Sequence, residues 1–109
     1  MEKAKGKVKH VVLVKFKDEA SGEQIEQIIK DYTSLVNLIE PIKSLEWGKD
    51  LRMTNLNQGF THVFESIFEN VEGVAEYGTH PAHLELKDRF LALLDKILVL
   101  DYELATLNP

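Results

Sequence analysis

The sequence has no cysteine, only three prolines and six glycines among 109 residues, and no apolar run long enough to span a bilayer. The absence of cysteine excludes disulfides, thiolate metal sites, iron–sulfur clusters and cysteine nucleophiles. No proline-, glycine- or serine-rich linker divides the chain, whose length is typical of one domain. Basic residues are outnumbered, 13 against 18 acidic residues, and the net charge of −5 argues against a nucleic acid or an anionic membrane as partner.

The start of the chain carries lysines at positions 3, 5, 7 and 9. A signal peptide would continue into a longer apolar stretch and a small-residue cleavage site, whereas here Lys15 interrupts the apolar residues 11–14. We therefore expect residues 1–7 to form a flexible N-terminal arm and residues 8–104 to form the domain. We also expect the protein to be cytoplasmic.

Hydrophobic periodicity predicts four strands and two helical regions. Alternating or β-branched apolar residues predict strands over residues 8–16, 42–50, 60–68 and 97–102. A capping box at Ser21 and Gln24 starts an amphipathic helix of about four turns that Pro41 ends. Asn70 caps a short helix that Gly78 breaks, and Pro81 begins the last helix. This βαββαβ order predicts an α+β, ferredoxin-like domain.

A ferredoxin-like sheet has helices on one side only, so its other face needs a partner. The strand over residues 60–68 gives Phe60, Phe64 and Phe68 one shared face, and we expect an exposed aromatic face of this size to be an interaction surface. A second copy packed sheet on sheet is the simplest partner, which predicts a two-fold homodimer.

Three of the four histidines, His10, His62 and His83, lie on predicted apolar faces. Tyr32 shares the apolar face of the first helix, and Tyr77 precedes His83 by six residues. An apolar pocket between helices and sheet, with a few polar groups converging on it, is the usual form of a small-molecule site. The sequence therefore indicates such a pocket.

His83 would be the third residue of a helix that starts at Pro81. The helix dipole and burial both disfavour imidazolium, so the ring would be neutral near neutral pH and able to act as a general base. Tyr77 would then donate to an oxyanion formed nearby. The alternatives are that His83 is a packed structural residue and that His80 is a turn or cap residue.

Other catalytic patterns are missing. His80 and His83 are three residues apart, but no acidic residue of clear geometry completes a zinc site with them. The sequence contains no glycine-rich phosphate loop, no Ser-His-Asp set and no HExxH motif. We expect no nucleotide cofactor.

Motifs spread over most of the chain suggest a family. They are Lys9-His10, Val36–Pro41, Trp47–Asp50, Thr61-His62, Phe64–Ser66, Tyr77 and His80–His83. Together they resemble the stress-response A/B barrel family of plants, known as Dabb or dimeric α/β barrel. The resemblance implies a ferredoxin-like protomer whose homodimer closes an eight-stranded β-barrel. It also implies a heat-stable stress-response protein with a defence-related or antimicrobial role.

The resemblance implies a second function, because some members of the family are polyketide cyclases, which are lyases. They close a linear poly-β-ketide by an intramolecular aldol reaction and need no cofactor. In them a histidine at the position of His83 is the base and a tyrosine at Tyr77 assists. Residues matching His10, Tyr32 and His62 line or support the site, and a bulky Phe64 would narrow it.

Two further expectations remain open. The family resemblance suggests a structural Mg²⁺ held by backbone carbonyls at Val36, Ile39 and Ile42, and backbone oxygens suit a hard cation. A third function is that of a carrier, which binds an apolar ligand without turning it over.

Overall fold

The chain forms one four-stranded antiparallel sheet with helices packed on one of its faces. The computed structural model describes residues 6–105. Its elements, in chain order, are β1 (Val8–Phe16), α1 (Gly22–Thr33), a 3₁₀ helix (Ser34–Asn37), β2 (Ile42–Lys49), β3 (His62–Phe68), α2 (Val71–Thr79), α3 (Pro81–Ala92) and β4 (Leu94–Glu103). The strands lie in the order β2-β3-β1-β4. The predicted ferredoxin-like βαββαβ fold is confirmed.

The predicted N-terminal arm lies mostly outside the described residues, which begin at Gly6. Lys7 is hydrogen-bonded to the residue that follows β4, because its carbonyl accepts the backbone N–H of Leu104 at 2.8 Å. None of the helices within residues 6–105 has the length and hydrophobicity that crossing a bilayer requires.

The helix starts follow the capping residues predicted from the sequence. The Ser21 hydroxyl accepts the N–H of Gln24 at 3.1 Å, and the Gln24 side chain accepts the N–H of Ser21 at 2.9 Å. Asn70 caps α2 by accepting the N–H of Gly73 at 2.8 Å. His80 is a cap residue, since its Nδ1 accepts the N–H of Ala82 at 3.1 Å. Each cap satisfies a backbone donor that the first helical turn leaves without a partner.

The first helix is shorter than the periodicity predicted. The α-helical geometry ends at Thr33 and continues as the 3₁₀ helix Ser34–Asn37. The Thr33 hydroxyl donates to the carbonyl of Ile29, and the Ser34 hydroxyl donates to that of Asp31. Such bonds to carbonyls three or four residues back compete with the helical ladder and favour the change of geometry.

Three other boundaries differ from the prediction by two residues or more. Gly78 does not break α2, which continues to Thr79. The third strand begins at His62 instead of residue 60, because Gln58 and Gly59 have positive φ angles of 56° and 87° and keep the chain in a turn. The last strand begins at Leu94, ahead of the predicted start at Ile97, because Leu94 pairs with Phe16 across a register shift.

The helix-covered face of the sheet contains the aromatic residues, which contradicts the expectation of an exposed aromatic face. Phe64 and Phe68 are 1% and 0% exposed and belong to the core under the helices. Phe60 lies before β3, where the Lys96 ammonium is 4.5 Å from its ring centre. Every second residue of a strand points to the same face, so Phe64 and Phe68 do lie together, but on the face that the helices cover.

The open face of the sheet combines apolar residues with charged ones such as Lys9 and Glu65. Successive residues of a strand point to opposite faces, so the residues that alternate with the buried Val12 and Phe64 face away from the helices. On β4 the residues of this face are 40–54% exposed. The apolar residues of the open face are Val11, Leu13, Val63, Ile67, Leu98, Leu100 and Tyr102. An exposed apolar patch of this kind is typical of an interface.

The cap of α1 generates a stability prediction. Replacing Ser21 with alanine (Ser21→Ala) removes the oxygen that accepts the Gln24 N–H, so we expect the free energy of unfolding to fall by about 1 kcal/mol. Urea unfolding followed by circular dichroism measures it. The control is Ser44→Ala, since Ser44 is an exposed residue on β2 whose side chain makes no hydrogen bond within residues 6–105. Equal stabilities of the two variants would contradict the prediction.

Candidate functional site

A cavity of about 320 Å³ lies on the helix-covered side of the sheet, between α1, α2, α3 and the strands β1 and β4. It exists because β4 is an edge strand that the helices do not fully cover. Ile97 and Val99 of β4 face the helix side, yet they remain 41% and 45% exposed and form one wall of the cavity. Six polar side chains also line it: those of His10, Tyr32, Tyr77, His83, Lys87 and Asp101.

His83 and Tyr77 form one pair within this cavity. Their ring centres are 4.1 Å apart, with the ring planes tilted by 37°. His83 is the third residue of α3, as predicted, and its Nδ1 lies 3.4 Å from the carbonyl oxygen of Gly78. A carbonyl only accepts, so Nδ1–H is the donor and Nε2 of the neutral ring keeps its lone pair.

The surroundings of His83 favour its neutral form. Burial lowers its pKa below the ordinary value of 6.5, although the carbonyl of Gly78 acts in the opposite direction. The positive charge of Lys87 lowers the pKa further. The N-terminal end of α3 has the same effect, because the helix dipole disfavours a cation there. His83 therefore has the protonation state that a general base requires at neutral pH.

Two tyrosines supply hydrogen-bond donors. Burial raises the pKa of Tyr77 to about 12, against a smaller opposing effect from its hydrogen bond with Tyr32. Burial also raises the pKa of Tyr32 well above its ordinary value. Both side chains are therefore neutral phenols at physiological pH. Their hydrogen bond to each other uses one of the two O–H groups, and the other can donate to an oxygen on which negative charge develops.

His10 and Asp101 form a second pair, on the sheet side of the cavity. The two residues are cross-strand neighbours on β1 and β4, and His10 Nδ1 lies 2.5 Å from a carboxylate oxygen of Asp101. The carboxylate accepts a hydrogen bond from Nδ1–H and so orients the His10 ring. The edge of this ring packs against Tyr77, with ring centres 5.6 Å apart. Asp101 was not among the site residues predicted from the sequence. A signal was available, because aspartate is unusual in a strand and this one alternates with Val99 and Ile97.

His62 and Phe64 lie outside this cavity. Phe64 is 1% exposed and stacks on Tyr32 at 4.4 Å, on the side away from the cavity. The His62 ring lies at the start of β3, and its Nδ1 is 2.8 Å from the Thr61 hydroxyl. The structure therefore brings together His10, Tyr32, Tyr77 and His83 of the predicted site residues.

The described residues offer little to a transition metal. Within residues 6–105, no group of three or more histidine, cysteine, aspartate or glutamate side chains is arranged to hold a metal ion. The Nδ1 atom of His80 accepts the Ala82 N–H, so this atom is occupied in capping α3. The arrangement can instead perform acid–base chemistry: His83 Nε2 to take a proton and the phenols to stabilise the anion that results.

Comparison with known proteins gives one family and several close relatives. Residues 8–104 match the family described as Stress responsive A/B Barrel Domain. The chain is 60% identical over 103 residues to the stress-response A/B barrel domain-containing protein HS1 of Arabidopsis thaliana, with 94% of each chain covered. It is 42% identical over 95 residues to olivetolic acid cyclase of Cannabis sativa, which covers 87% of this chain and 94% of the cyclase.

Solved structures with the same fold are also similar to this chain. The hydroxynitrile lyase of Passiflora edulis superimposes with a TM-score of 0.91 at 35% identity, covering 95% of this chain and 98% of the lyase. A dimeric protein of ferredoxin-like fold from Bacteroides fragilis superimposes with a TM-score of 0.71 at 25% identity, covering 94% and 100%. The resemblance inferred from the motifs is confirmed.

The pKa of His83 gives a testable pH dependence. Because its pKa is lowered on folding, the unfolded chain binds more protons below about pH 6.5, and stability falls as the pH falls through that value. An NMR titration should place the His83 midpoint below 6.5. The variant His83→Gln should lose less stability than the wild type between about pH 7 and pH 5. A midpoint at or above 6.5 would show that the ring is not held neutral.

Proposed function

Because the chain belongs to the stress-responsive A/B barrel domain family, we propose that it is a homodimeric stress-response protein whose cavity performs acid–base chemistry on a small carbonyl compound. The single observation that carries the chemistry is the pairing of a neutral His83 with Tyr77 inside a cavity of about 320 Å³. That volume lies at the lower end of the range of small-molecule sites.

The reaction that we propose is the intramolecular aldol cyclisation of a linear poly-β-ketide. The likeness to olivetolic acid cyclase, at 42% identity, supports this substrate class. His83 Nε2 would remove a proton from a methylene group between two carbonyls, and Tyr77 would donate a hydrogen bond to the enolate oxygen. The enolate carbon would then attack another carbonyl of the same substrate, and the new alkoxide would take the proton held by His83. Loss of water and hydrolysis of the thioester would then give the aromatic acid. No cofactor takes part in these steps.

His10 and Asp101 would position the substrate opposite His83. The carboxylate fixes the ring of His10 so that its other nitrogen faces away from Asp101. Lys87 also lines the cavity and provides a positive charge for an acidic group of the substrate. Because the same residues are held in place without a substrate, the cavity is also suited to a carrier. Turnover distinguishes the two functions.

The broader role that we propose rests on the relatives. The likeness to the Arabidopsis stress-response A/B barrel protein, at 60% identity, supports a role in stress response. Within that role we propose a heat-stable, cytoplasmic protein with a defence-related or antimicrobial function. A structural Mg²⁺ on the backbone carbonyls of Val36, Ile39 and Ile42 is part of the same proposal. These residues lie close together where the 3₁₀ helix leads into β2, and the carbonyl of Ile39 already accepts the N–H of Ile42 at 3.1 Å. A carbonyl oxygen has a second lone pair for a cation.

The homodimer would form through the open face of the sheet. Its aliphatic residues include Leu98 and Leu100, which are 40% and 54% exposed in the single chain. The dimeric Bacteroides fragilis structure, which has the same fold, supports this assembly. A second copy would remove this apolar surface from water, which is the main favourable contribution to such interfaces.

The cyclase proposal predicts a strict dependence on His83. In a coupled reaction with a synthase that makes a linear tetraketide thioester, the wild type should release an aromatic acid that buffer alone does not. His83→Ala should reduce its formation by at least about 100-fold, since it removes the base. The matched control is His80→Asn, because asparagine also caps helices and this variant should keep most of the activity. Equal product from wild type and His83→Ala would reject the cyclase.

The dimer proposal predicts an effect at one face only. Light scattering should give the wild type a mass of about two chains. Leu98→Glu puts a carboxylate into the proposed interface and should give a monomer at micromolar concentration. The control is Leu84→Glu, since Leu84 is similarly exposed (44% against 40%) but lies on α3, in the helix layer. A monomeric wild type, or dissociation by both variants, would contradict the proposed face.

A further inference from the structure

A second and larger cavity lies at the opposite edge of the sheet, between α1 and the strands β2 and β3. Its volume is about 510 Å³. Trp47, Lys49 and His62 form its sheet side, and Ile25, Ile29 and Lys30 are among the residues of α1 that line it. It shares no lining residue with the cavity that contains His83. The chemistry proposed above therefore does not use it.

A wall of aromatic rings separates the two cavities. Phe64 stacks on Tyr32, which lines the first cavity, with ring centres 4.4 Å apart and planes within 3°. On its other side Phe64 faces Trp47 of the second cavity at 6.4 Å. Since Phe64 is fully buried in this stack, the second cavity is a separate site and not an extension of the first.

The floor of the second cavity contains the buried ring of His62. His62 is 8% exposed, its Nδ1 contacts the Thr61 hydroxyl, and its Nε2 is buried with no hydrogen-bond partner within residues 6–105. Trp47 lies over the His62 ring, with centres 6.2 Å apart and planes within 12°. Nε2 is closed off from the cavity, so His62 contributes the flat ring on which Trp47 stacks.

The charges at the rim decide what kind of ligand fits. Lys30 and Lys49 both line the cavity, and within the described part of the chain neither ammonium forms an ion pair with a carboxylate. Glu26 is the one acidic residue of the lining, so the positive charges outnumber the negative one. Trp47 is 44% exposed and presents an indole face on which a flat ring can stack.

From this combination we propose that the cavity between α1 and β2 binds a small aromatic carboxylate. The ring of the ligand would stack on Trp47 and contact Ile25 and Ile29, and its carboxylate would accept hydrogen bonds from Lys30 and Lys49. An aliphatic carboxylate would lose the stacking, and a neutral aromatic compound would lose the ion pairs. The site therefore selects for both features in one molecule.

Trp47 provides a direct probe, since it is the one tryptophan of the chain. Its indole N–H gives a single resonance in a nitrogen–proton correlation spectrum of the ¹⁵N-labelled protein. Sodium benzoate should shift this resonance saturably. Benzyl alcohol, which lacks the charge, and cyclohexanecarboxylate, which lacks the aromatic ring, should shift it at concentrations about tenfold higher or more.

Two pairs of lysines test the charge requirement. Lys30→Gln combined with Lys49→Gln should weaken benzoate binding about tenfold. The control combines Lys17→Gln with Lys43→Gln, which changes the net charge equally at exposed positions outside the cavity and should leave binding unchanged. His83→Ala should also leave the indole shift unchanged, because it affects only the first cavity.

Several results would overturn the proposal. One is the absence of an indole shift up to roughly 10 mM benzoate. Another is equal binding of benzoate, benzyl alcohol and cyclohexanecarboxylate. Equal weakening by the two lysine pairs would show a general charge effect, and loss of the shift in His83→Ala would place the binding in the first cavity.

Discussion

The packing of Phe64 under Tyr32 is the constraint on which the architecture of both cavities depends. The centres of the two stacked rings are 4.4 Å apart, and Phe90 packs edge-to-face with Phe64 at 5.7 Å between ring centres. Because close-packed aromatic rings leave no room for a ligand, the helix layer can be hollow only on either side of this cluster. One hollow lies beside β4 and contains His83, and the other lies beside β2 and contains Trp47.

The sequence predicted the order of the elements and the starts of the helices better than the other element ends and the buried face of the sheet. The capping residues Ser21 and Asn70 are local signals, and the structure confirms them. Glycine at position 78 was a weaker signal, since the helix simply continues through it. The side of the sheet that the helices cover depends on long-range packing. A period of two gives two faces but does not say which of them is buried, and for this reason the exposed aromatic face was wrong.

The candidate site was predictable where it depends on position within one element. His83 near the start of a helix follows from Pro81, and its neutral state follows from burial at that place. The partners of a side chain depend on strand register, which the sequence alone does not specify. Asp101 meets His10 only because β4 pairs with β1 in the observed register. For the same reason His62, although it shares a face with Phe64, lies beside a different cavity.

The proposed chemistry depends on His83 acting as a neutral base that removes a proton from an activated methylene group. Deuterium exchange tests it without requiring the natural substrate. In D₂O at neutral pH, the protein should accelerate exchange at the methylene group of a simple β-keto thioester above the rate in buffer, and His83→Ala should return the rate to that of buffer. An identical rate with wild type, variant and buffer would contradict the assignment of this cavity as an acid–base site.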